Sequence, residues 1–336
     1  MDSGRNMTIG DIADALGVSK TTVSRAISGK GRIGEDTKRR VLDYINEHNY
    51  RPNMIAKGLA QSRTFNIALA LPGDYNLEDM SFFQKCLMGI SEIANSFEYD
   101  VMVAVIPSND TSQLERMITN RKIDGVILMR TVFQDNTAAY LKDAEVPFVA
   151  IGSSDDRKIV QVDNDHRAAC RELTSILLMR GIRKIALIGG NQSHVVTHTR
   201  LNGYLDAYKE MGLAVDDSMI YLDVESCVLA DKIVEELLAR KCECIIGMDD
   251  SICNYVLNKL KKEKIMVPQD IKVASFYNSS LLENNVPSIT SLEFDVLELG
   301  METCRTLLDL IDGKPVKARA LLGYGVSLKE STQKMS

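Results

Sequence analysis

The 336-residue chain contains no run of about eighteen apolar residues, so no membrane-spanning helix is expected. Its first residues, MDSGRNMTIGDIADALG, have no apolar core followed by a small-residue cleavage site, and a cytoplasmic protein is expected. The cysteines Cys86, Cys170, Cys227, Cys242, Cys244, Cys253 and Cys304 are odd in number, scattered and mostly set among apolar residues. That argues against a disulfide framework and predicts reduced thiols packed as small hydrophobes. Cys242-x-Cys244 has half of a metal-site spacing, but it leads into the apolar pair Ile245-Ile246 and reads first as strand-edge packing. Catalytic signatures are missing as well. Gly189-Gly190 follows a strand-like run without either glycine-rich phosphate pattern, and no G-x-S-x-G occurs. His194-x-x-x-His198 lacks the glutamate of a zinc-binding H-E-x-x-H helix and reads as a solvated loop pair. The chain is therefore not read as an enzyme, and neither cofactor nor metal is expected.

What is present is ordinary in amount and unusual in distribution. With 45% hydrophobic and 26% charged residues the chain is globular, and its length suits two or three domains. Residues 1–63 carry eleven Lys and Arg against seven Asp and Glu, a net +4. The remainder carries 29 against 39, a net −10. A basic head on an acidic body places any polyanion-binding function in the head.

The head shows helix punctuation. Thr8 is a good N-cap, Asp11 completes a capping-box pattern, and Ile9, Ile12, Ala13 and Leu16 recur at helical spacing. Gly17 ends that helix. Ser19 caps the next, with Val23, Ala26 and Ile27 inward and Lys20, Thr21, Thr22, Ser24 and Arg25 outward. Glu35 to His48 forms a third amphipathic helix, with Val41, Leu42 and Ile45 inward and Lys38, Arg39 and Arg40 outward. A short helix, a glycine turn and a second helix with a cationic outer face make a helix-turn-helix DNA reader. Pro52 then closes one element, and Asn53 can cap another over Met54–Ala60. That stretch is too short to be a stable helix alone, and Gly58 weakens it further.

Two motifs at fixed spacing, D-I-A-x-x-L-G-V-S-K-T-T-V-S-R from Asp11 and N-Y-R-P-N-x-x-A-x-x-L from Asn49, resemble the lac-repressor (LacI/GalR) family of transcription regulators. With weaker features of the body the resemblance covers nearly the whole chain. It implies that Lys20, Thr21 and Arg25 face base edges in the major groove, where Arg25 can bridge guanine O6 and N7. Ser19, Thr22, Ser24 and Asn53 are then assigned to phosphates. The hinge, with Ala56 and Leu59, enters the minor groove as a pair of helices, one from each subunit, Leu59 wedging between base pairs. The alternative for Leu59 is a residue packed on the body. The implied partners are double-stranded DNA with a near-palindromic operator, a carbohydrate effector, and a second copy of the chain. The implied function is a repressor controlled by that effector.

From Phe65 onward, apolar strand-like runs alternate with helical segments. The runs are residues 66–71, 101–106, 125–128, 147–151, 184–188, 244–248 and 272–276. The helical segments are residues 84–97, 167–179, 200–211, 230–240 and 252–262. This pattern predicts parallel sheets covered on both faces, with ligands at the carboxyl ends of the strands. Together with this pattern, the resemblance implies the fold class: an N-terminal all-α helix-turn-helix domain (7–52), a hinge helix and linker (53–63), and a two-lobed α/β periplasmic-binding-protein-like domain (64–336). The resemblance implies lobe one at about 65–162 and 293–323, and lobe two at about 163–292 and 324–333. It also implies effector residues. Phe82 and Phe83 would stack on a sugar face, Arg200 of Arg200-Leu201-x-Gly203 would donate to hydroxyls, and Asp249 matches a family acidic position. Each keeps a plainer alternative: a core pair for the phenylalanines, a surface ion pair for Arg200, a helix cap for Asp249. The family usually has G-Y-D-D where this chain has Ser275-Phe276-Tyr277-Asn278, so an acidic acceptor gives way to Tyr277 or Asn278. Met248 likewise stands where a polar residue is common. Effector identity therefore does not transfer, and a phosphosugar or a partner protein stays open.

A homodimer reading two half-sites is expected, with Met88, Ile90 and Phe97 available for contacts. Residues 327–336 lack leucine heptads, which argues against a tail coiled coil. A transport-system sugar-binding protein would share the body but not residues 8–60. A sugar-modifying enzyme would need an acid–base pair in the cleft.

Overall fold

A computed structural model describes residues 7–29, 31–50, 54–74, 81–107 and 110–333. They form two units, a head ending at Thr64 and a body from Phe65 onward.

In the head, α1 (Ile9–Leu16) opens on the capping box read from the sequence. The Asp11 amide donates to Thr8 Oγ1 at 3.3 Å and the Thr8 amide to Asp11 Oδ2 at 2.7 Å. Such a cap contributes about 1 kcal/mol. Gly17 turns the chain in the left-handed region at φ 65°, where a Cβ is disfavoured. α2 (Lys20–Ser28) starts on Ser19, whose Oγ accepts the Thr22 amide at 3.1 Å. α3 (Glu35–Glu47) closes the bundle, and Ile12, Ala13, Val23, Ala26, Val41 and Tyr50 make its core. Leu42 departs from expectation. It is exposed, and Tyr44 packs against the core with Ile45. Leu42 stands about 100° round the helix from Val41, whereas positions three and four residues on share its face. α4 (Met54–Gln61) follows as a two-turn helix.

The described residues of the body form two six-stranded sheets. β1 (Asn66–Pro72), β2 (Asp100–Ile106), β3 (Gly125–Leu128), β4 (Phe148–Ile151), β5 (Val160–Asn164) and β11 (Arg319–Leu322) form an all-parallel sheet in the order β11-β5-β4-β3-β1-β2. β6 (Ile185–Ile188), β7 (Ile220–Tyr221), β8 (Cys244–Gly247), β9 (Lys272–Ser275), β10 (Thr290–Glu293) and β12 (Gly325–Ser327) form the other, in the order β12-β10-β9-β8-β6-β7. Among the described strands only β12 runs antiparallel to its neighbour. The inner strands β3, β4, β6 and β8 are buried along their whole length, as sheets covered on both faces require.

The first sheet is flanked by α5 (Ser81–Ser96), α6 (Ser112–Thr119), α7 (Asn136–Asp143) and α13 (Val296–Ile311). α8 (His166–Met179), α9 (Val195–Glu210), α10 (Cys227–Ala239), α11 (Asp250–Lys262) and the short α12 (Ser280–Glu283) flank the second. The chain passes between the lobes after Asn164, after Glu293 and after Leu322. β2 is an outer strand, and Gln113 of α6 covers its edge. The Gln113 side chain accepts the Val105 amide at 3.1 Å and donates to the Val103 carbonyl at 3.3 Å, occupying groups that another strand would otherwise pair.

Glycines allow the closest helix contacts. Gly89 of α5 and Gly300 of α13 meet where those helices cross, and Gly203 of α9 abuts the Arg167 backbone of α8. The glycine of the Arg200-Leu201-x-Gly203 motif therefore has a packing role beside its arginine's polar one. Cys86, Cys170, Cys242, Cys244, Cys253 and Cys304 are buried as expected, whereas Cys227 is exposed at the start of α10. It shares a helical face with Ala230 and Val234, three and seven residues on, but stands at the first position of the helix, ahead of the buried run that begins at Ala230. Among the described residues no helix is long and apolar enough to cross a membrane.

Candidate functional site

On the head, Lys20, Thr21, Ser24 and Arg25 stand exposed along the outer side of α2, and Val23 and Ala26 are buried behind them. Arg25 Cδ and Nε lie 3.2 Å from where a side chain on Gly31 would begin, so that glycine leaves the arginine room. The Ser19 and Thr22 hydroxyls bond each other at 2.9 Å, and Thr22 is half-buried. Asn53 lies outside the described residues. The backbone of Ala56 lies in α4, and its side chain is outside the described set. Leu59 is 85% exposed, a large apolar side chain offered to the surroundings.

In the body a cavity of about 500 Å³ opens between the two sheets, within the range of small-molecule sites. Its wall comes from the carboxyl ends of strands in both lobes. Arg130 and Thr131 follow β3, Gly152 follows β4, Asn191 follows β6, Asp249 follows β8 and Tyr277 follows β9. Ligand sites of open α/β sheets lie at such ends because the following loops and helix N-termini converge there.

The predicted effector residues Phe82, Phe83, Arg200, Asp249 and Tyr277 all line this cavity. Phe82 meets Phe83 edge-on at 5.4 Å and Tyr277 at 6.2 Å, a three-ring cluster. Phe83 also belongs to the core of the first lobe and Phe82 packs against it, as the plainer reading has it. Arg200 Nη1 donates to the Met248 carbonyl at 2.6 Å, while its Nε is buried without a partner. Asp249 caps α11 by accepting the Ile252 amide at 2.8 Å, and it lines the cavity too. The Tyr277 hydroxyl is buried and unpartnered, and burial raises its pKa.

Other wall residues escaped the sequence reading. Asp163 accepts from Ser153 Oγ at 2.8 Å, and burial lifts its carboxyl to about 6 against the lowering pull of Ser153, its neighbour's amide and Arg200. His166 Nε2 lies 3.5 Å from Asp163 Oδ1, and its Nδ1 is buried without a partner. Burial first, then the Arg200 charge, holds His166 well below the usual imidazole range. His194 is not a solvated loop residue. It precedes α9, lies 3.1 Å from Arg130 Nη1, and is lowered to about 4 by burial and then by the Arg130 charge. Its neighbour in sequence, His198, instead approaches the Gln192 carbonyl at 2.9 Å and sits edge-on to Phe133. Arg130 itself pairs with Asp74 at 3.0 Å. The carboxyl-end rule would have singled out Arg130, which lies two residues beyond β3. Nothing local marks Asp163 and His166, which reach the cavity because the chain changes lobes between them.

A head with an exposed cationic recognition helix, joined to a two-lobed α/β body with a polar and aromatic cleft, defines a DNA-binding regulator with a ligand-sensing body. Known proteins agree with it. Residues 67–303 match the family described as periplasmic binding proteins and sugar binding domain of LacI family, and residues 8–53 match the bacterial regulatory proteins, lacI family. The HTH-type transcriptional regulator MalR of Streptococcus pneumoniae is 31% identical over 337 residues, covering 95% of this chain and 98% of that protein. The solved complex of the transcriptional regulator CelR with cellobiose has a TM-score of 0.71 at 26% identity, covering 97% of this chain and 99% of CelR. The lac repressor dimer bound to operator and an anti-inducer shares the fold, with a TM-score of 0.78 at 22% identity over 98% of this chain and all of that one. The chain belongs to the LacI family and is a DNA-binding transcriptional regulator.

Proposed function

We propose that the protein is a homodimeric repressor whose grip on a near-palindromic operator is controlled by a carbohydrate bound between the lobes of its body. The observation that carries this reading is the cavity itself. Three aromatic rings stand beside Arg200 Nε, His166 Nδ1 and the Tyr277 hydroxyl, all buried and unpartnered. A buried polar atom without a partner costs free energy, and hydroxyls of a sugar lying against the rings would recover it. The CelR–cellobiose complex, with the same fold, supports the choice of ligand class.

In this reading Lys20, Thr21 and Arg25 contact base edges, and Ser19, Thr22, Ser24 and Asn53 contact phosphates. The α4 helices of two subunits, with Ala56 and Leu59, enter the minor groove, and Leu59 is the wedge. The exposure of Leu59 supports that role. Sugar binding changes the spacing of the two hinges and so disfavours their joint insertion. The dimer face includes Met88 and Phe97, which are 66% and 54% exposed on and just beyond α5. Ile90 takes no part, because it is fully buried against the core behind that helix.

Fluorescence anisotropy of a labelled near-palindromic duplex from the gene's own upstream region tests the proposal. Tight, salt-sensitive and sequence-selective binding that one sugar weakens is the expected result. Tightening by a sugar would make it a co-repressor, and unselective binding under every condition would refute an operator in that region.

A further inference from the structure

The charge around the cavity narrows the choice of ligand beyond what its shape allows, and that selectivity rests on the proposal of a carbohydrate effector. Among the described residues five carboxyl groups line the cavity, those of Asp74, Asp163, Glu225, Asp249 and Asp250, against two guanidinium groups, Arg130 and Arg200. Arg130 is taken by Asp74 at 3.0 Å, and Arg200 exerts its charge on Asp163. The two lining histidines add no positive charge, since burial and a neighbouring arginine keep both neutral. The described wall thus carries an excess of negative charge, to which Glu225 and Asp250 contribute from the second lobe.

Of the helix N-termini on the cavity, that of α9 carries no side-chain cap, but that of α11 is already occupied. A helix N-terminus that opens on a cavity ordinarily favours phosphate, through free amides and the positive end of the helix dipole. Here α11 opens on the cavity with its own Asp249 and Asp250 at that end, and Asp249 takes the Ile252 amide. What the wall offers a ligand is of another kind. It presents carboxylate acceptors for hydroxyl protons, together with the side chains of Arg200 and Tyr277, whose Nε and hydroxyl have no partner within the chain.

We propose that the cavity selects neutral or amino sugars and excludes phosphorylated and carboxylated ones, with Asp250 and Glu225 as the principal excluding groups. Specificity of this type comes from repulsion built against the wrong ligand as much as from attraction to the right one. A 6-phosphate brought into a wall with excess negative charge loses at least about tenfold in affinity relative to its neutral parent.

Calorimetric titration of the full chain with maltose, cellobiose and their 6′-phosphates tests this. The expected result is that a neutral sugar binds and its phosphate binds at least about tenfold more weakly. A variant carrying Glu225→Gln and Asp250→Asn, checked by circular dichroism for an unchanged fold, should narrow that gap. A phosphate ester that binds as tightly as its parent, or a gap left untouched in the folded double variant, overturns the exclusion while leaving the effector site standing. Binding of none of the four refutes these glucosides as effectors, and with them the exclusion as stated for their phosphates.

Discussion

Replacing Gly89 by alanine puts a methyl group where no space exists. The added Cβ would lie 2.1 Å from the Leu297 carbonyl oxygen and 3.0 Å from the Met301 amide nitrogen, both backbone atoms of α13. Ordinary contact begins near 3.4 Å, and no rotamer change moves a backbone carbonyl. The helices must therefore part by about 1 Å, loosening a close-packed core that includes Cys86, Ile90, Leu299 and Cys304. Overpacking of this kind costs roughly 1–3 kcal/mol, and the clash with main chain places this case at the upper end. Alanine returns about 1 kcal/mol through its better helix propensity. The expected net loss is about 2 kcal/mol for Gly89→Ala. Gly300→Ala should lose a similar amount, because its Cβ would lie 2.3 Å from the Cys86 carbonyl. Since one displacement relieves both clashes, the double variant should lose less than the sum of the singles. Urea unfolding of the full chain followed by far-UV circular dichroism reads these losses in the transition of the body. The same shift moves Phe82 and Phe83, which α5 carries into the cavity, so effector affinity should fall as well. An unchanged or higher midpoint for Gly89→Ala, or strict additivity of the pair, would refute the steric argument.

Arg25→Ala should cost about 1–3 kcal/mol of discrimination at one base pair, read by anisotropy on operator variants; an equal loss on random DNA would show a phosphate contact instead. Gly58→Ala should favour the hinge helix by about 1 kcal/mol, raising operator affinity and blunting release by effector, and unchanged release in the same assay would count against a hinge-folding switch. Asp163 gives a pH signature. Its carboxyl is raised to about 6 in the fold, so its stabilising contribution is complete below the unfolded value near 4 and is lost as pH rises through 6. Asp163→Asn should therefore gain up to about 3 kcal/mol relative to the native chain between pH 4 and pH 7 in paired denaturation curves, whereas a constant difference would contradict the burial argument. His166 has the opposite sign, favouring the fold above the ordinary imidazole value, and it cancels in that comparison to the extent that the substitution leaves it unperturbed.

The head was legible almost residue by residue, because its information is local. Thr8, Asp11, Gly17 and Ser19 act within one helical turn, and the helical period of apolar residues names the core. Leu42 failed there because a three-residue apolar set fits more than one face, and only the packing of Tyr44 chose. The inner strands of the body were equally plain, since strands buried on both faces read as unbroken apolar runs. β5, β7, β10, β11 and β12 were not, being polar, short or marginal; VQVDN, IY, TSLE, RALL and GVS become strands through their neighbours in the sheets.

The same division runs through the cavity. Family-like motifs led to Phe82, Phe83, Arg200 and Asp249, yet Asp163 and His166 came to light only once the crossing after β5 set them beside Arg200. His194 looked like a loop residue until Arg130, 64 positions earlier, was found against it. By itself the sequence determined the class of protein, a basic helical head on an acidic α/β body, because charge balance, caps and hydrophobic period act over a few residues. The tertiary structure alone decided which carboxylates face the cavity, which cations they engage, and which polar atoms stay unpartnered. Those outcomes depend on groups brought together from three lobe crossings and two sheets, and no spacing along the chain encodes them.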